Sequence, residues 1–350
     1  MKLQRDETIT VERVQALLRQ RAPGVMVDSV EVVGESEGSA SRLQLEVDYA
    51  PGTRGGLPQR FFLKRNLAEF TFPPQMYLTE CRFYRDLEPE LPSLETPVVH
   101  AMELDESTGA FVLLMEDLAV RARLGIALER CTVNEVAAVL DDVAELHAKY
   151  WGDDARVAEQ LPWLDRADQS AFIRFWLSAG PKLARKNLAG HRAPVVEHTP
   201  WVHDRLWPAF ASLVAQLGRA PLTVLHGDLH IGNTYFTADG GGGLLDWQLM
   251  LHGNWVVDVA YVVQTAFEPE ERARYERTLL AGYLDALRRR GVEAPDESEA
   301  WRSYCSCAVW GVVMWVVTPD GVHTDEAQRV SLRRSIAAAE ELSALDRLGA

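Results

Sequence analysis

The sequence predicts an α+β protein in which a mostly β-sheet N-terminal part precedes a mostly helical C-terminal part. In the first part, segments such as SRLQLEVDYA, RFFLKRN and GAFVLLMEDL are rich in apolar residues and alternate as strands do. After about residue 120 the apolar residues recur at helical spacing, and one β-like segment, VLHGDLHIGNTYF, interrupts the helices. The 350 residues are 47% hydrophobic, which suffices for two globular domains, and we expect these at residues 1–118 and 119–350.

Within the N-terminal part the expected order is a helix, three strands, a helix and two strands. The first helix is predicted over residues 11–21, where Thr10 can cap its start, and the second over residues 75–86. The strands are expected in VDSVEVVGE, SRLQLEVDYA, RFFLKRN, VVHAMEL and GAFVLLMEDL, and a small-residue segment, GESEGSAS, joins the first two. These segments predict a sheet with one inserted helix.

In the C-terminal part, Thr132 and Glu135 form a capping-box pattern that predicts the start of a helix ending at about Tyr150. Further helices are expected at residues 167–186, 201–217, 269–290, 297–317 and 325–348. The glycines at 240–243 resemble a phosphate-binding loop. However, neither a Lys-Ser/Thr pair nor a helix follows them, so a hairpin turn is the better interpretation.

Composition restricts the class of function. The formal net charge of −15 argues against a nucleic-acid partner, because phosphate binding requires clustered lysines and arginines. The four cysteines form no CxxC pair, which favours reduced cysteines over a disulfide or zinc framework. The most apolar segment, residues 307–317, is shorter than the ~18 residues of a membrane span, and MKLQRDETIT lacks the apolar core of a signal peptide. We therefore expect a cytoplasmic protein without membrane insertion.

The segment HGDLHIGN at residues 226–233 carries the strongest chemical signal, together with Asp246 in the later LLDWQ segment. Transfer of a phosphoryl group from ATP requires a carboxylate that orients the incoming hydroxyl and accepts its proton, and also oxygen ligands for Mg²⁺. The spacing H-x-D-x-x-x-x-N supplies both, since Asp228 can face the nucleophile while the Asn233 amide oxygen turns to the metal. A hairpin can then bring Asp246 to the same metal. The pattern predicts ATP and Mg²⁺ as cofactors.

These motifs resemble the aminoglycoside phosphotransferase and choline kinase superfamily. Protein kinases carry arginine where this chain has Gly227, so the match is to the small-molecule branch. The segments ECRFY and HAKYW resemble the ecdysteroid-kinase-like (CHK kinase-like) subgroup and its bacterial relatives. The resemblance implies a two-lobed protein-kinase-like fold with an antiparallel sheet in the N-lobe and a mostly helical C-lobe. It also implies an enzyme that phosphorylates a hydroxyl group of a small molecule.

The same resemblance implies roles for residues outside the loop. Lys64 in RFFLKRN matches the strand lysine that holds the α- and β-phosphates, and Glu80 in TECRFYRDL matches the helix glutamate that pairs with that lysine. Glu116 and Leu118 lie in MEDL, which matches the hinge where backbone groups meet adenine. Asp258 in GNWVVDVAY matches an aspartate that braces the catalytic loop.

The expected phosphate-covering loop departs from the family pattern. It reads GESEGSAS, which is less rich in glycine than is common, and Ser39 and Ser41 could contact the β- and γ-phosphates or simply belong to a hairpin turn. Other residues also have ordinary interpretations, with Lys64 and Glu80 as solvated side chains and Asn233 as a turn former. His226 is expected to brace the loop rather than to act as the base.

Two other classes of function fit part of the sequence. A metal-dependent hydrolase could use His226, Asp228 and His230 as ligands, but it leaves Lys64 and Asp246 unexplained. A catalytically inactive binding protein on the same fold is opposed by the presence of every expected catalytic residue. The acceptor stays open, because the acidic composition suits an aminoglycoside whereas the many tryptophans suit a more apolar alcohol such as a steroid, macrolide or hydroxyacyl compound. The oligomeric state is equally open.

Overall fold

The computed structural model describes residues 9–36, 40–66 and 74–350, and the chain divides into two compact units. The N-terminal unit extends to Glu90 and resumes from Thr96 to Arg123. The C-terminal unit comprises Leu124–Ala350 together with the short segment Leu91–Glu95, so the chain passes between the units more than once.

In the N-terminal part, the described helices and strands follow the predicted order. In the C-terminal part, the sequence did not predict three helices, Asp154–Gln160, Ala193–Val196 and Val256–Ala266, or two strands, Ala122–Leu124 and Leu251–Asn254. The helix predicted over 201–217 is interrupted at Arg205. The strands are β1 (Val27–Ser36), β2 (Ser41–Tyr49), β3 (Arg60–Asn66), β4 (Val99–Asp105), β5 (Ala110–Glu116), β6 (Ala122–Leu124), β7 (Leu222–Leu225), β8 (Thr234–Thr237), β9 (Gly242–Leu244) and β10 (Leu251–Asn254). The helices are α1 (Val11–Leu18), α2 (Pro74–Arg82), α3 (Val133–Tyr150), α4 (Asp154–Gln160), α5 (Ala171–Asn187), α6 (Ala193–Val196), α7 (Trp201–Asp204), α8 (Leu206–Leu217), α9 (Val256–Ala266), α10 (Pro269–Arg289), α11 (Glu297–Val317), α12 (Asp325–Glu341) and α13 (Ala344–Arg347).

The N-terminal unit is built on an antiparallel sheet of order β1-β2-β3-β5-β4. Side chains alternate across each strand, so Phe61 and Leu63 of β3 join the apolar core that includes the buried face of α1. Lys64 consequently lies on the opposite face, where α2 packs on β4 and β5. The inserted helix is present as predicted, although α2 ends at Arg82 and continues as a wider helical turn, Phe83–Leu87.

The C-terminal unit is mostly helical, as predicted, and its core surrounds α9 and α11. Every residue of α9 is buried, and α11 packs against α5, α8, α9 and α12. The predicted capping box is formed at the start of α3, where Thr132 and Glu135 each accept a hydrogen bond from the other's backbone N–H. Two short antiparallel pairs, β7–β10 and β8–β9, interrupt the helices. No helix within the described ranges has the length and apolar character needed to cross a bilayer.

The last residue of the segment Leu91–Glu95 is hydrogen-bonded to the rest of the C-terminal unit. The Glu95 carbonyl accepts a hydrogen bond from Leu244 N of β9 at 3.0 Å. The Glu95 side chain accepts a second one from the Tyr235 hydroxyl of β8, also at 3.0 Å. Because β8 and β9 form one hairpin, both strands of the hairpin are tied to this segment.

An acidic side chain of α3 lies close to this attachment. Burial, followed by the negative charges of Asp141 and Glu95, raises the pKa of Asp142 to about 8. Asp142 Oδ2 is buried and has no hydrogen-bond partner. Asp142 therefore keeps its proton at neutral pH, because a second full negative charge beside Glu95 would be poorly solvated.

Replacing Asp142 with asparagine should stabilise the protein at neutral and alkaline pH. The folded state holds the Asp142 proton up to about pH 8, whereas the unfolded chain releases it near pH 4, so the folded state binds more protons in this window. The free energy of unfolding should therefore fall as pH rises from about 4 to about 8 in the wild type, and less so in Asp142→Asn. We expect a difference on the order of a few kcal/mol above pH 8, measured by urea unfolding across the window.

The control is Asp141→Asn, which should change the free energy of unfolding in the opposite direction. The hydrogen bond from Arg290 to Asp141 lowers the pKa of that carboxyl group, with Arg290 Nη2 at 2.8 Å from Oδ2. Removing the Asp141 charge should thus lower stability at neutral pH. Superimposable pH profiles for wild type and Asp142→Asn would contradict the assignment of Asp142.

Candidate active site

The predicted catalytic loop, residues 226–233, connects β7 to β8. β7 is buried along its whole length and pairs with β10, which sets the point at which the loop begins. Gly227 follows with a φ of +81°, and a Cβ atom there would lie 1.9 Å from the Leu249 carbonyl oxygen. Only glycine fits this position, since both the backbone conformation and the close approach exclude a side chain.

The start of the loop is held by the carboxylate of Asp258 in α9. Its Oδ2 accepts a hydrogen bond from His226 N (2.7 Å) and its Oδ1 accepts one from Gly227 N (2.9 Å). The Asp258 side chain is fully buried. A buried carboxylate is costly unless its lone pairs are filled by donors, and these backbone N–H groups fill them. Asp258 thus contacts the loop that the family resemblance implies it braces.

A further donor to Asp258 could not be predicted from the sequence. His147 of α3 has its Nε2 atom at 3.1 Å from Asp258 Oδ2. The backbone carbonyl of His147 accepts a hydrogen bond from the Thr223 hydroxyl of β7 (2.7 Å). The only signal in the sequence is a histidine on the apolar face of α3, beside Val143 and Leu146. A buried histidine of this kind needs a hydrogen-bond partner, but helical spacing does not identify which residue that is.

Asp228 and Asn233 are brought together within the loop. Asn233 Nδ2 donates to the Asp228 carbonyl oxygen (2.8 Å) and to its carboxylate Oδ2 (3.3 Å). With the amide nitrogen so engaged, Asn233 Oδ1 is left to serve as an acceptor or a metal ligand. Burial, followed by the negative charge of Asp246, raises the pKa of Asp228 well above its usual value. The loop therefore presents a carboxyl group of raised proton affinity next to an amide oxygen.

Asp246 completes the group at the end of the β8–β9 hairpin. Its backbone is in the left-handed region, with φ 67° and ψ 69°, which costs a residue other than glycine roughly 1–3 kcal/mol. The preceding residue, Leu245, donates from its N–H to the Asn233 carbonyl (3.1 Å) and accepts from His226 Nε2 (3.0 Å). The Asp246 carboxylate and the Asn233 amide oxygen are ligands of the type that suits a hard cation such as Mg²⁺.

The two histidines of the loop are engaged in other contacts. His226 donates from Nε2 to a backbone carbonyl and accepts at Nδ1 from Asp228 N (3.3 Å). The His230 ring packs against Trp315 and His323, with centroid distances of 5.2 and 5.4 Å, and its Nδ1 accepts a backbone N–H. Burial lowers the pKa of both imidazoles. In the part of the chain that the structure describes, no three His, Cys, Asp or Glu side chains are grouped to hold a metal.

In the N-terminal unit, the structure brings Lys64 and Glu80 together. Lys64 Nζ lies 2.6 Å from Glu80 Oε2, and the residues are only 3% and 1% exposed. Neither side chain is solvated, so the ordinary interpretation of these residues as surface charges is wrong. The attraction in a buried ion pair only roughly offsets the cost of desolvating both charges. The pair is therefore better explained by a need to orient Lys64 than by a gain in stability.

The predicted hinge residues lie at the end of β5. Glu116 is the last residue of that strand, and Leu118 begins a short helical turn, Leu118–Val120. The Glu116 carboxylate is occupied by Arg121, with Nη2 at 2.6 Å from Oε1, and by Val98 N at 2.9 Å. The Glu116 side chain is thus taken up locally, and contact of the hinge with adenine stays a prediction.

Of the two serines predicted to cover the phosphates, Ser39 lies outside the described residues. Ser41 begins β2 and is paired with Arg65 of β3. The strands β1 and β2 are paired antiparallel as far as Ser36 opposite Arg42. A phosphate contact by Ser39 or Ser41 stays a prediction.

Comparison with known proteins adds the family and the fold. The model of the phosphotransferase enzyme family, APH, matches residues 48–293, which is well over half of the chain. No curated protein sequence matches. A choline kinase from Cryptosporidium parvum Iowa II is similar in structure, with a TM-score of 0.59 and 11% identity over 96% of this chain and 97% of that one.

Two further solved structures are similar over most of their length. A spectinomycin phosphotransferase in complex with ADP and spectinomycin has a TM-score of 0.57 and 12% identity, over 96% of this chain and 100% of that one. An ethanolamine kinase from Plasmodium vivax has a TM-score of 0.55 and 9% identity, over 89% of this chain and 82% of that one. These likenesses confirm the predicted protein-kinase-like α+β fold. Together with the family match, they show that the chain belongs to the phosphotransferase enzyme family and is a small-molecule kinase.

Proposed function

We propose that the protein transfers the γ-phosphate of ATP to a hydroxyl group of a small molecule, with Asp228 as the base. The observation that carries the proposal is the grouping of Asp228 with Asn233 in one loop and with Asp246 at the end of the adjoining hairpin. Phosphoryl transfer from Mg·ATP depends on such a carboxylate and on such oxygen ligands. The ADP in the spectinomycin phosphotransferase structure supports the use of a nucleotide.

Asp228 acts on the acceptor in this proposal. The acceptor hydroxyl donates a hydrogen bond to the carboxylate, which directs the hydroxyl oxygen toward the γ-phosphate. The proton passes to Asp228 as the new P–O bond forms and the bond to the leaving ADP breaks. The raised pKa of Asp228 makes its ionised form a stronger proton acceptor than a solvated aspartate. Asn233 Nδ2, at 3.3 Å from Oδ2, restrains the carboxylate in this orientation.

In this proposal, Asn233 Oδ1 and the Asp246 carboxylate would hold Mg²⁺. When bound, Mg²⁺ neutralises the charge that develops on the β- and γ-phosphates. The hydrogen bond between Leu245 N and the Asn233 carbonyl supports the assignment, because it keeps the two ligands in register. Lys64, oriented by Glu80, contacts the α- and β-phosphates.

The experiment that tests the proposed function is a screen of hydroxyl compounds with release of ADP as the readout. The panel contains aminoglycosides, amino alcohols such as choline, macrolides and steroid alcohols. We expect Mg²⁺-dependent release of ADP with at least one class of acceptor, and release slower by about a hundredfold or more in the Asp228→Asn variant. Release at the wild-type rate in Asp228→Asn would remove Asp228 from the mechanism.

Asp228→Asn and Asp246→Asn should fail in different ways. A carboxamide cannot accept the hydroxyl proton, so Asp228→Asn should lower kcat by roughly 10²–10⁴-fold and leave affinity for Mg·ATP largely intact. Asp246→Asn removes a negative ligand of a hard cation, so it should weaken binding of Mg²⁺ and nucleotide. Titration of both variants with Mg²⁺ should partly restore the activity of Asp246→Asn only. The reverse pattern would mean that the two roles are exchanged.

Asp228→Asn should also be more stable than the wild type at neutral pH. A carboxyl group whose pKa is raised by folding stabilises the folded state below its unfolded pKa, and that contribution is lost as pH rises through the folded value. Asparagine keeps the shape and the contact with Asn233 but carries no charge against Asp246. We expect a higher Tm for Asp228→Asn at pH 7 without Mg²⁺, and a smaller difference at pH 4. A lower Tm at pH 7 would contradict the raised pKa.

Glu80→Gln should impair use of ATP without unfolding the protein. The substitution keeps the size of the side chain but removes the charge that holds Lys64 Nζ at 2.6 Å. We expect kcat/KM for ATP to fall about tenfold or more, which corresponds to ~1.4 kcal/mol or more. Glu103→Gln is the matched control, because Glu103 is an ion-paired glutamate of the same unit that does not contact Lys64. Its two carboxylate oxygens accept hydrogen bonds from Arg13, both at 2.8 Å. Equal kinetics in the two variants would refute the role of Glu80.

A further inference from the structure

We propose that Tyr283 of α10 is a positioning residue for the catalytic loop, acting through His147 and Asp258. The Tyr283 hydroxyl lies 2.7 Å from His147 Nδ1, and the other ring nitrogen, Nε2, lies 3.1 Å from Asp258 Oδ2. Asp258 in turn accepts the backbone N–H groups of His226 and Gly227. A continuous series of hydrogen bonds therefore joins α10 to the residue that precedes Asp228. The inference rests on the proposed function only in so far as Asp228 is the base.

With a neutral imidazole, only one arrangement of protons satisfies this series. The Asp258 carboxylate can only accept, so His147 must donate from Nε2. A neutral imidazole has a single N–H, so Nδ1 is then an acceptor and Tyr283 must be its donor. Burial, followed by the charge of Asp258, raises the pKa of Tyr283 well above its usual value, so the hydroxyl keeps its proton. Tyr283 thereby holds the imidazole in the tautomer and orientation that Asp258 requires.

The series is enclosed within the C-terminal unit. His147 and Asp258 have no exposed surface, and Tyr283 is 1% exposed. The Tyr283 ring stands edge-on to His147, with an interplanar angle of 87°. It also stacks on Trp255, the residue before α9, with a centroid distance of 5.3 Å and an angle of 21°. Loss of the hydroxyl would leave a buried acceptor without its donor, while the ring contacts would persist.

Tyr304 of α11 provides a matched control. It is fully buried in the same unit, and its hydroxyl also donates a hydrogen bond to a buried side chain, in this case the carboxylate oxygen Glu276 Oε2, at 3.1 Å. Neither Tyr304 nor Glu276 is hydrogen-bonded to His147 or Asp258. Tyr283→Phe and Tyr304→Phe therefore remove the same group from equally dry places, and only the first lies on the route to the loop.

The test is hydrogen exchange of the His226 and Gly227 backbone amides in the full chain, without nucleotide or acceptor. We expect these two amides to exchange roughly tenfold faster or more in Tyr283→Phe than in Tyr304→Phe, relative to the slowest amides of α9 in each variant. The ¹⁵N signals of the wild-type His147 ring should show a protonated Nε2 and an unprotonated Nδ1 that accepts a hydrogen bond. Equal exchange in the two variants, or a wild-type ring protonated at Nδ1, would overturn the inference.

A second background tests whether the effect of Tyr283 passes through His147, and the wild-type ring signals decide the inference if Tyr283→Phe does not fold. In His147→Gln, the side-chain amide can donate to Asp258 without help from Tyr283. Adding Tyr283→Phe to His147→Gln should then leave the exchange of the His226 and Gly227 amides unchanged, and a further increase would count against the inference. None of these readouts depends on turnover, so an inactive wild type with the expected tautomer would contradict the proposed function and leave the role of Tyr283 standing.

Discussion

The buried carboxylate of Asp258 is the group on which the rest of the active site depends. It receives the backbone N–H groups of His226 and Gly227 and the ring of His147, and no part of it is exposed. A carboxylate removed from water needs several donors, and the same bonds fix the positions of those donors. Since Gly227 immediately precedes Asp228, the carboxyl group that we propose as the base is placed by a residue that need not touch substrate.

The candidate site contains features that do not favour folding. Burial and the negative charge of Asp246 raise the pKa of Asp228, and Asp246 also has a backbone conformation that few residues other than glycine adopt. The buried ion pair of Lys64 and Glu80 adds a desolvation cost in the other unit. The apolar cores of the two units, which include the fully buried helix α9 of the C-terminal one, offset these costs. Stability is thus supplied by apolar side chains that take no part in the proposed reaction.

The sequence predicts local elements well and distant partners poorly. The alternation along RFFLKRN was enough to predict β3, and the family motif was enough to place Lys64 opposite Glu80. The predicted helix over 325–348 is broken at Ser343, whose φ of 51° no propensity rule would indicate. The sequence indicated that His147 lies on the apolar face of a helix, but not that it contacts Asp258. No local pattern indicated that Leu91–Glu95 belongs to the C-terminal unit. Both depend on contacts between residues far apart in the chain, which periodicity does not encode.

The passage of Leu91–Glu95 into the C-terminal unit limits how the gene could be divided or recombined. A fragment ending at Arg123 would contain this segment without β8 and β9, to which Glu95 is bonded. Leu91 and Leu94, now 2% and 7% exposed, would lose the neighbours that cover them. A fragment beginning at Leu124 would in turn leave the edge of β9 without the Glu95 carbonyl. A cut between Arg123 and Leu124 would therefore divide the C-terminal unit, and a chimera that exchanges this unit with a relative must transplant the segment as well.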